Sequence, residues 1–217
     1  MDLKELELEF DILLNNISSN QAPGFTPLEK SIFLTEAQEF YIKELYSTNG
    51  FEKDEEISEY LRTLVKQVIY TEEEGIKDET KNSIFFNIPE DLWFITYEAA
   101  KLDNQCNKLP LATVVPVKQD EFFRIYNNPF RGPSKSRVLR MLINDKLELI
   151  TKYNIKNYTI RYLSKPEPIV LEGLNECGIA PYNSYGEAGN PCKLPSSTHR
   201  NILLKAVQLA QAAWKTN

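Results

Sequence analysis

Tyr158-Thr-Ile-Arg-Tyr-Leu163, then Lys165-Pro-Glu-Pro-Ile-Val-Leu171, then Leu194-Pro-Ser-Ser-Thr-His-Arg-Asn-Ile-Leu-Leu-Lys-Ala-Val207 are the phrases that decide how this 217-residue chain folds. In the first, Tyr158, Ile160 and Tyr162 alternate with Thr159, Arg161 and Leu163, the period of a strand whose two faces differ in chemistry. Pro166 and Pro168 follow at once. Neither can donate to a ladder, so the sheet has to stop there. In the third phrase Ser196 or Ser197 caps a helix on which Ile202, Leu203, Ala206, Leu209, Ala210 and Ala213 share a face. The alanines admit a close neighbour, which predicts that this helix packs on helices from the N-terminal half.

Working outward, Leu6, Phe10, Leu13, Leu14 and Ile17 recur at three- and four-residue spacing and predict an amphipathic helix over residues 3–17. Thr26-Pro27-Leu28-Glu29 is a capping box with proline at the first helical position. It opens a helix whose apolar side reads as Ile32, Phe33, Ala37, Phe40, Tyr41 and Leu45, ending at Asn49-Gly50. A third helix is expected over residues 54–70, from Ile57, Tyr60, Leu61, Leu64 and Val68. From Ser83 the period shortens. Strands are expected over residues 84–89, 92–98, 109–117, 137–143 and 147–150, with Asn144-Asp145-Lys146 as the turn between the last two. Pro110 and Pro116 mark residues 109–117 as an edge strand, and Asp120 reads as the cap of a short helix over 121–126. The class is α+β: an N-terminal helical hairpin or bundle plus the C-terminal helix, with an inserted antiparallel β-sheet. The boundaries expected are 1–82 with 194–217 for the bundle, 83–171 for the β region and 172–193 for an extended loop.

A hydrophobic content of 42% suffices for a buried core. The net charge of -6 argues against a protein that grips nucleic acid, a task that calls for a basic stripe to neutralise phosphates. DNA near this chain is expected to pass rather than bind. No apolar run approaches the ~20 residues of a spanning helix, and Met1-Asp-Leu-Lys-Glu5 has no signal-peptide pattern. A soluble protein made in the cytoplasm, with no membrane partner, is the expectation. Cys106, Cys177 and Cys192 are an odd set without Cys-x-x-Cys spacing, read as reduced thiols, with an approach of Cys177 to Cys192 as the alternative. The single histidine, His199, removes most metal and triad chemistry. A Cys-His hydrolase built from His199 and Cys177 or Cys192 is set aside because nothing flanking either cysteine activates a thiolate. His199 is expected to bond instead to the loop before its helix. With no phosphate-binding loop, dinucleotide fingerprint or nucleophile elbow either, no catalytic residue, metal or cofactor is expected.

The surface candidates are of another kind. Phe130 and Arg131 lie between Pro129 and Pro133, which stiffen the backbone. Either Phe130 tucks into the core, or the pair anchors a neighbouring subunit in the way aromatic and arginine hot spots do. Glu72, Glu73 and Glu74 form a solvated loop or line a channel along which like charge keeps DNA from sticking. Tyr185, in the long loop before the last helix, is a further interface candidate.

The order Lys165-Pro-Glu-Pro-Ile169, Leu194-Pro195, His199 and Ile202 to Ala210 resembles the C-terminal end of head-to-tail connector (adaptor) subunits of tailed bacteriophages. It is most similar to the ring proteins of crAss-like phages. Phe10-Asp-Ile-Leu-Leu-Asn-Asn-Ile17, Ala22-Pro-Gly24, Glu29-Lys-Ser31 and Phe33-Leu-Thr-Glu-Ala-Gln38 resemble the N-terminus of the same subunits. Val115-Pro-Val-Lys118, the Phe130 loop and Arg137-Val-Leu-Arg140 resemble their middle, so the likeness spans most of the chain. The resemblance implies a virion structural protein at the head-tail junction: a ring of copies of itself, expected to number twelve, docked beneath the portal protein beside other connector or tail proteins. DNA would traverse its lumen. A reading from a different class is a small α+β protein-binding or host-takeover factor.

Overall fold

The computed structural model describes residues 1–17, 24–49, 59–78, 82–103, 111–174 and 182–216. In chain order the elements are α1 (Leu3–Ile17), α2 (Pro27–Asn49), β1 (Val65–Thr71), β2 (Ile76–Asp78), β3 (Ser83–Asn87), β4 (Leu92–Leu102), β5 (Leu111–Pro116), α3 (Phe122–Tyr126), β6 (Arg137–Ile143), β7 (Lys146–Ile150), β8 (Ile155–Ser164) and α4 (Ser196–Thr216). They fall into two compact units, Met1–Leu64 with Pro166–Asn217, and Val65–Lys165. The fold is α+β, with the sheet inserted in the chain between the N-terminal helices and α4.

In the helical unit, α1 buries Leu3, Leu6, Phe10 and Leu14, as its spacing requires. The capping box forms: the Thr26 amide donates to Glu29 Oε2 at 2.7 Å and the Glu29 amide to Thr26 Oγ1 at 3.3 Å. The buried face of α2 is rotated from the one the apolar residues suggest. Leu34, Ala37 and Ile42 are buried together with Lys30, Ser31 and Gln38, whereas Phe40 is exposed. Each buried polar group has a partner, which is what makes this face tolerable. Lys30 Nζ reaches Asp11 Oδ2 at 2.8 Å and Glu7 Oε1 at 3.2 Å. Ser31 Oγ accepts the Leu171 amide at 3.0 Å, and Gln38 Nε2 donates to the Glu167 carbonyl at 3.0 Å. The segment after β8 is thereby tied along α2. α4 packs on α2 and α1 and buries Ile202, Leu203, Ala206, Val207 and Ala210. At its start His199 Nε2 donates to the Leu194 carbonyl at 2.9 Å, the local bond expected of it. Ahead of α4, Val170 and Asn190 bridge. Gly189, at φ 67, sits where a Cβ would lie 2.4 Å from the Val170 carbonyl oxygen, so only glycine fits this crossing.

The second unit is an eight-stranded sheet in the order β1-β8-β4-β5-β6-β7-β3-β2. Neighbours are antiparallel except β5 and β6, whose parallel pairing is allowed by the crossover that carries α3. Three expectations are corrected here. Of the helix expected over 54–70, residues 54–58 lie outside the described residues, residues 59–61 are helical, Arg62–Leu64 form a 3-10 turn, and Val65–Thr71 is a strand. Val65, Val68, Ile69, Tyr70 and Thr71 are strand formers, and a seven-residue ladder on β8 outweighs the helical spacing that Val68 continued. β5 is not an edge but an interior strand, bonded to β4 through Leu111–Thr113 and to β6 through Thr113–Pro116. Pro116 is its last residue, and the amide that continues the ladder is that of Val117, donating to the Arg140 carbonyl at 2.9 Å. The third correction, the cap of α3, is given with that helix below.

The sheet is curled, which brings β1 against β3. The ring centroids of Tyr70 and Phe86 lie 5.2 Å apart, those of Tyr70 and Tyr158 5.9 Å and those of Phe86 and Tyr158 5.5 Å. Tyr70 also donates its hydroxyl to the Asn87 carbonyl at 2.7 Å. Ile84, Ala100, Val138, Leu149, Ile160 and Tyr162 complete this interior. The β6–β7 turn forms where expected, with Asn144 at φ 50.

Two outcomes follow from the helical unit. Ala206 is fully buried where α4 meets its neighbours, so Ala206→Leu should lower the unfolding free energy by about 1 to 3 kcal/mol through overpacking, measured by urea denaturation. The Thr26 amide and hydroxyl hold the Glu29 carboxyl below its ordinary pKa of 4.5. A depressed folded pKa stabilises at pH above the unfolded value and is lost as pH falls through the folded one. Glu29→Gln should therefore cost a few tenths of a kcal/mol at neutral pH, modest because the group is exposed and screened. The gap to wild type should close in denaturation series carried below the range of an ordinary carboxylate.

Candidate interaction surface

Helix α3 lies on the outer face of the sheet, where Phe122, Ile125 and Tyr126 pack on Val117, Leu139, Met141 and Ile150. It is entered through a 3-10 turn, Gln119–Glu121, and its flanking Lys118 and Glu121 make no side-chain cap bond. Asp120, expected as the cap, falls inside that turn. The apolar clamp holds this short helix instead, together with Gln119 Nε2 donating to the Leu142 carbonyl at 3.4 Å.

Past α3 the chain reverses through residues 127–133, and the reversal is tightly bonded. Asn128 Oδ1 accepts the Phe130 amide at 2.8 Å and the Arg131 amide at 3.1 Å. Gly132 donates to the Asn128 carbonyl at 2.8 Å, and a Cβ there would sit 2.7 Å from the Tyr126 carbonyl oxygen. The Arg137 guanidinium donates to the Phe130 carbonyl. On this backbone Phe130 is 86% exposed, so its ring is displayed rather than tucked into the core, and Phe123 on α3 is 75% exposed. Arg131 is exposed and its guanidinium has no hydrogen-bond or ion-pair partner among the described residues. Exposed aromatics beside an uncommitted guanidinium have the composition of an interface anchor.

The other candidates lie elsewhere. Glu72–Glu74 form a 3-10 turn between β1 and β2. Glu72 pairs with Lys77 at 2.5 Å. Glu74 Oε2 accepts the Thr71 amide at 2.6 Å and its hydroxyl at 2.9 Å, which hold the carboxyl below its ordinary range. Glu73 is exposed and uncommitted among the described residues. Tyr185 belongs to the helical unit, half-buried on a cluster formed by Val170, Leu174 and Tyr182, and burial raises its hydroxyl pKa. Phe130 and Arg131 thus share the loop that follows α3, which carries Phe123, while the glutamates lie on the β1–β2 turn and Tyr185 in the helical unit.

Inside the curled sheet is a network that pattern reading did not single out. Arg140, on β6, donates to Glu98 Oε2 from Nη2 at 3.0 Å and from Nε at 3.2 Å, and Tyr158 donates to Glu98 Oε1 at 2.5 Å. Burial, and then Glu98, push the Tyr158 hydroxyl above its ordinary range. The three groups satisfy one another and form a strut between β4, β6 and β8. The signal available in the sequence was a charged residue at an inward register position on β6, between the outward Leu139 and Met141.

The thiol and imidazole are both engaged within the helical unit, His199 Nδ1 lying 3.2 Å from the Met1 ammonium. Cys192 donates to Gln38 Oε1 at 3.3 Å, and burial raises its pKa, the opposite of activation. Cys106 and Cys177, and with Cys177 its approach to Cys192, lie outside the described residues. Among the described residues no group of three His, Cys, Asp or Glu could hold a metal ion, and no helix is long and apolar enough to cross a membrane.

A family profile described as "Phage tail ring protein 3/4" matches residues 1–217. The chain belongs to this family. Two ring proteins of Bacteroides phage crAss001 are similar to it along nearly their whole length. "Ring protein 3" is 42% identical over 225 residues, covering 97% of this chain and 95% of that protein. "Ring protein 4/5" is 30% identical over 233 residues, covering 99% of this chain and 94% of that protein. The likeness to crAss-like ring proteins drawn from separated blocks of sequence is therefore shown. As a phage ring protein the chain is a virion component that assembles with other subunits.

The display of Phe130 and Arg131 depends on Asn128. Asn128→Ala should free both amides and speed their hydrogen exchange by roughly tenfold or more, the equivalent of about one hydrogen bond. Thermal stability should change little.

Proposed function

We propose that this ring protein is a structural subunit of the head-to-tail connector, closing with its copies into a ring of twelve beneath the portal and beside other connector or tail proteins. In this reading it forms part of the conduit through which DNA reaches the tail. The observation that carries it is the loop of residues 127–133, which holds Phe130 and an Arg131 guanidinium unpaired among the described residues in solvent on a fixed backbone. A closed ring of identical subunits needs two unlike surfaces that meet head-to-tail, and a projecting loop supplies one of them. The net charge of -6 and the exposed Glu73 suit a channel that DNA slides along without being gripped. Contacts between free copies are weak in this reading, because docking on a preformed portal ring makes each later contact effectively intramolecular.

The test is a double substitution, Phe130→Ala with Arg131→Ala. Both side chains are exposed, so the variant should keep its circular dichroism and melting temperature, yet be incorporated into portal complexes at least about tenfold less well. Normal incorporation, counted by electron microscopy of portal particles, would remove the loop from the interface. Loss of the fold would assign Phe130 a packing role.

A further inference from the structure

Beneath the same helix is a pocket of about 530 Å³ whose chemistry is unsatisfied. Its walls are Phe122, Phe123 and Tyr126 of α3 with Met141 and Ile150 of the sheet, and Glu148 of β7 lines it. Glu148 is only 2% exposed and has no hydrogen-bond or ion-pair partner among the described residues. Beside it, Ser83 is 2% exposed and its Oγ is buried without a partner. Ser83 stands opposite Ile150 in the β3–β7 ladder, which places its side chain on the same face of the sheet as Glu148 and Ile150. The helical unit answers its buried Lys30 with two carboxylates, and the interior of the sheet answers Glu98 with Arg140 and Tyr158. Glu148 has no such answer among the described residues.

A buried carboxylate calls for a cation that brings its own apolar stem and donors. Among side chains, arginine fits best: its guanidinium forks onto a carboxylate and its plane stacks on aromatic walls such as Phe122 and Tyr126. Arg131 is such a side chain, its guanidinium exposed and uncommitted among the described residues, on the loop that follows α3. We infer that the pocket receives Arg131 from a second copy of this chain in the ring, with the guanidinium seated on the Glu148 carboxylate. This rests on the loop of residues 127–133 being an inter-subunit contact and names the surface it meets. The two halves of the contact are unlike, and they are complementary in charge and in aromatic character.

The chain has two methionines, of which Met141 lines the pocket, so methyl-13C-methionine labelling gives a reporter there. The receptor is the full chain carrying Arg131→Ala, in which no copy can fill its neighbour. The probe is the acetylated and amidated peptide of residues 127–133. The expected result is a saturable shift of the Met141 methyl. Affinity should fall about tenfold or more when Glu148→Gln is added to the receptor, and likewise when citrulline replaces arginine in the peptide. The citrulline peptide gives the same test if the Glu148→Gln receptor fails to fold. A peptide that leaves Met141 unmoved, while butylguanidinium shifts it through Glu148, overturns the second copy as occupant and points to an arginine of another protein. No shift from either probe, or a shift indifferent to both Glu148→Gln and citrulline, overturns the pocket as a cation site. None of these failures touches the loop as an assembly contact, which stands or falls on the incorporation of the Phe130 and Arg131 variant.

Discussion

β8 is bonded along both edges, to β1 over Val65–Thr71 and to β4 over Leu92–Leu102, and the curl of the whole sheet depends on what its inner face carries. Tyr158, Ile160 and Tyr162 all point inward. Tyr158 stacks with Tyr70 from one neighbour, meets Phe86 on β3 and donates its hydroxyl to Glu98 on the other neighbour. A flat sheet would leave those rings in water. Curling buries them against each other, brings β1 to β3 and lets Arg140 reach Glu98 in a largely buried setting.

The concave face holds the larger core, and the convex face carries α3. Met141 and Ile150 attract α3, and α3 delivers the chain into the reversal of residues 127–133. The rigidity there is local: an asparagine side chain, a glycine confined by carbonyls and an arginine bonded back to the Phe130 carbonyl. Ordering a loop before it binds lowers the entropic cost of the contact it makes.

The helical unit shows the other use of polar groups. Ser31, Thr35 and Gln38 lie along α2 and take up the amides and carbonyls of the strand-like segment that follows Ser164. Pro166 and Pro168 end the sheet, and without ladder partners the backbone beyond them would be left unsatisfied. Side chains of α2 stand in for the missing strand, which is why a helix face with buried polar residues is stable here.

Much of this was decided within short windows of sequence. The period of Tyr158, Ile160 and Tyr162, the stop at Pro166, the capping box at Thr26, the β6–β7 turn and the alanine face of α4 are each set by residues within a few positions of one another, and each formed as read. The family was legible because several such phrases occur in a fixed order along the chain. What tertiary structure alone decided involves partners far apart: Gln38 and Glu167 are separated by 129 positions, Ser31 and Leu171 by 140, Arg140 and Glu98 by 42. No local pattern encodes such pairings, so the buried side of α2 was misjudged, Val65–Thr71 read as helix and β5 as an edge. The same holds for the surface. Residues 127–133 announce a stiff loop, but the packing of α3 determined that Phe130 faces water and that Glu148 is buried without a partner among the described residues, because exposure and burial belong to the folded surface and not to any stretch of chain.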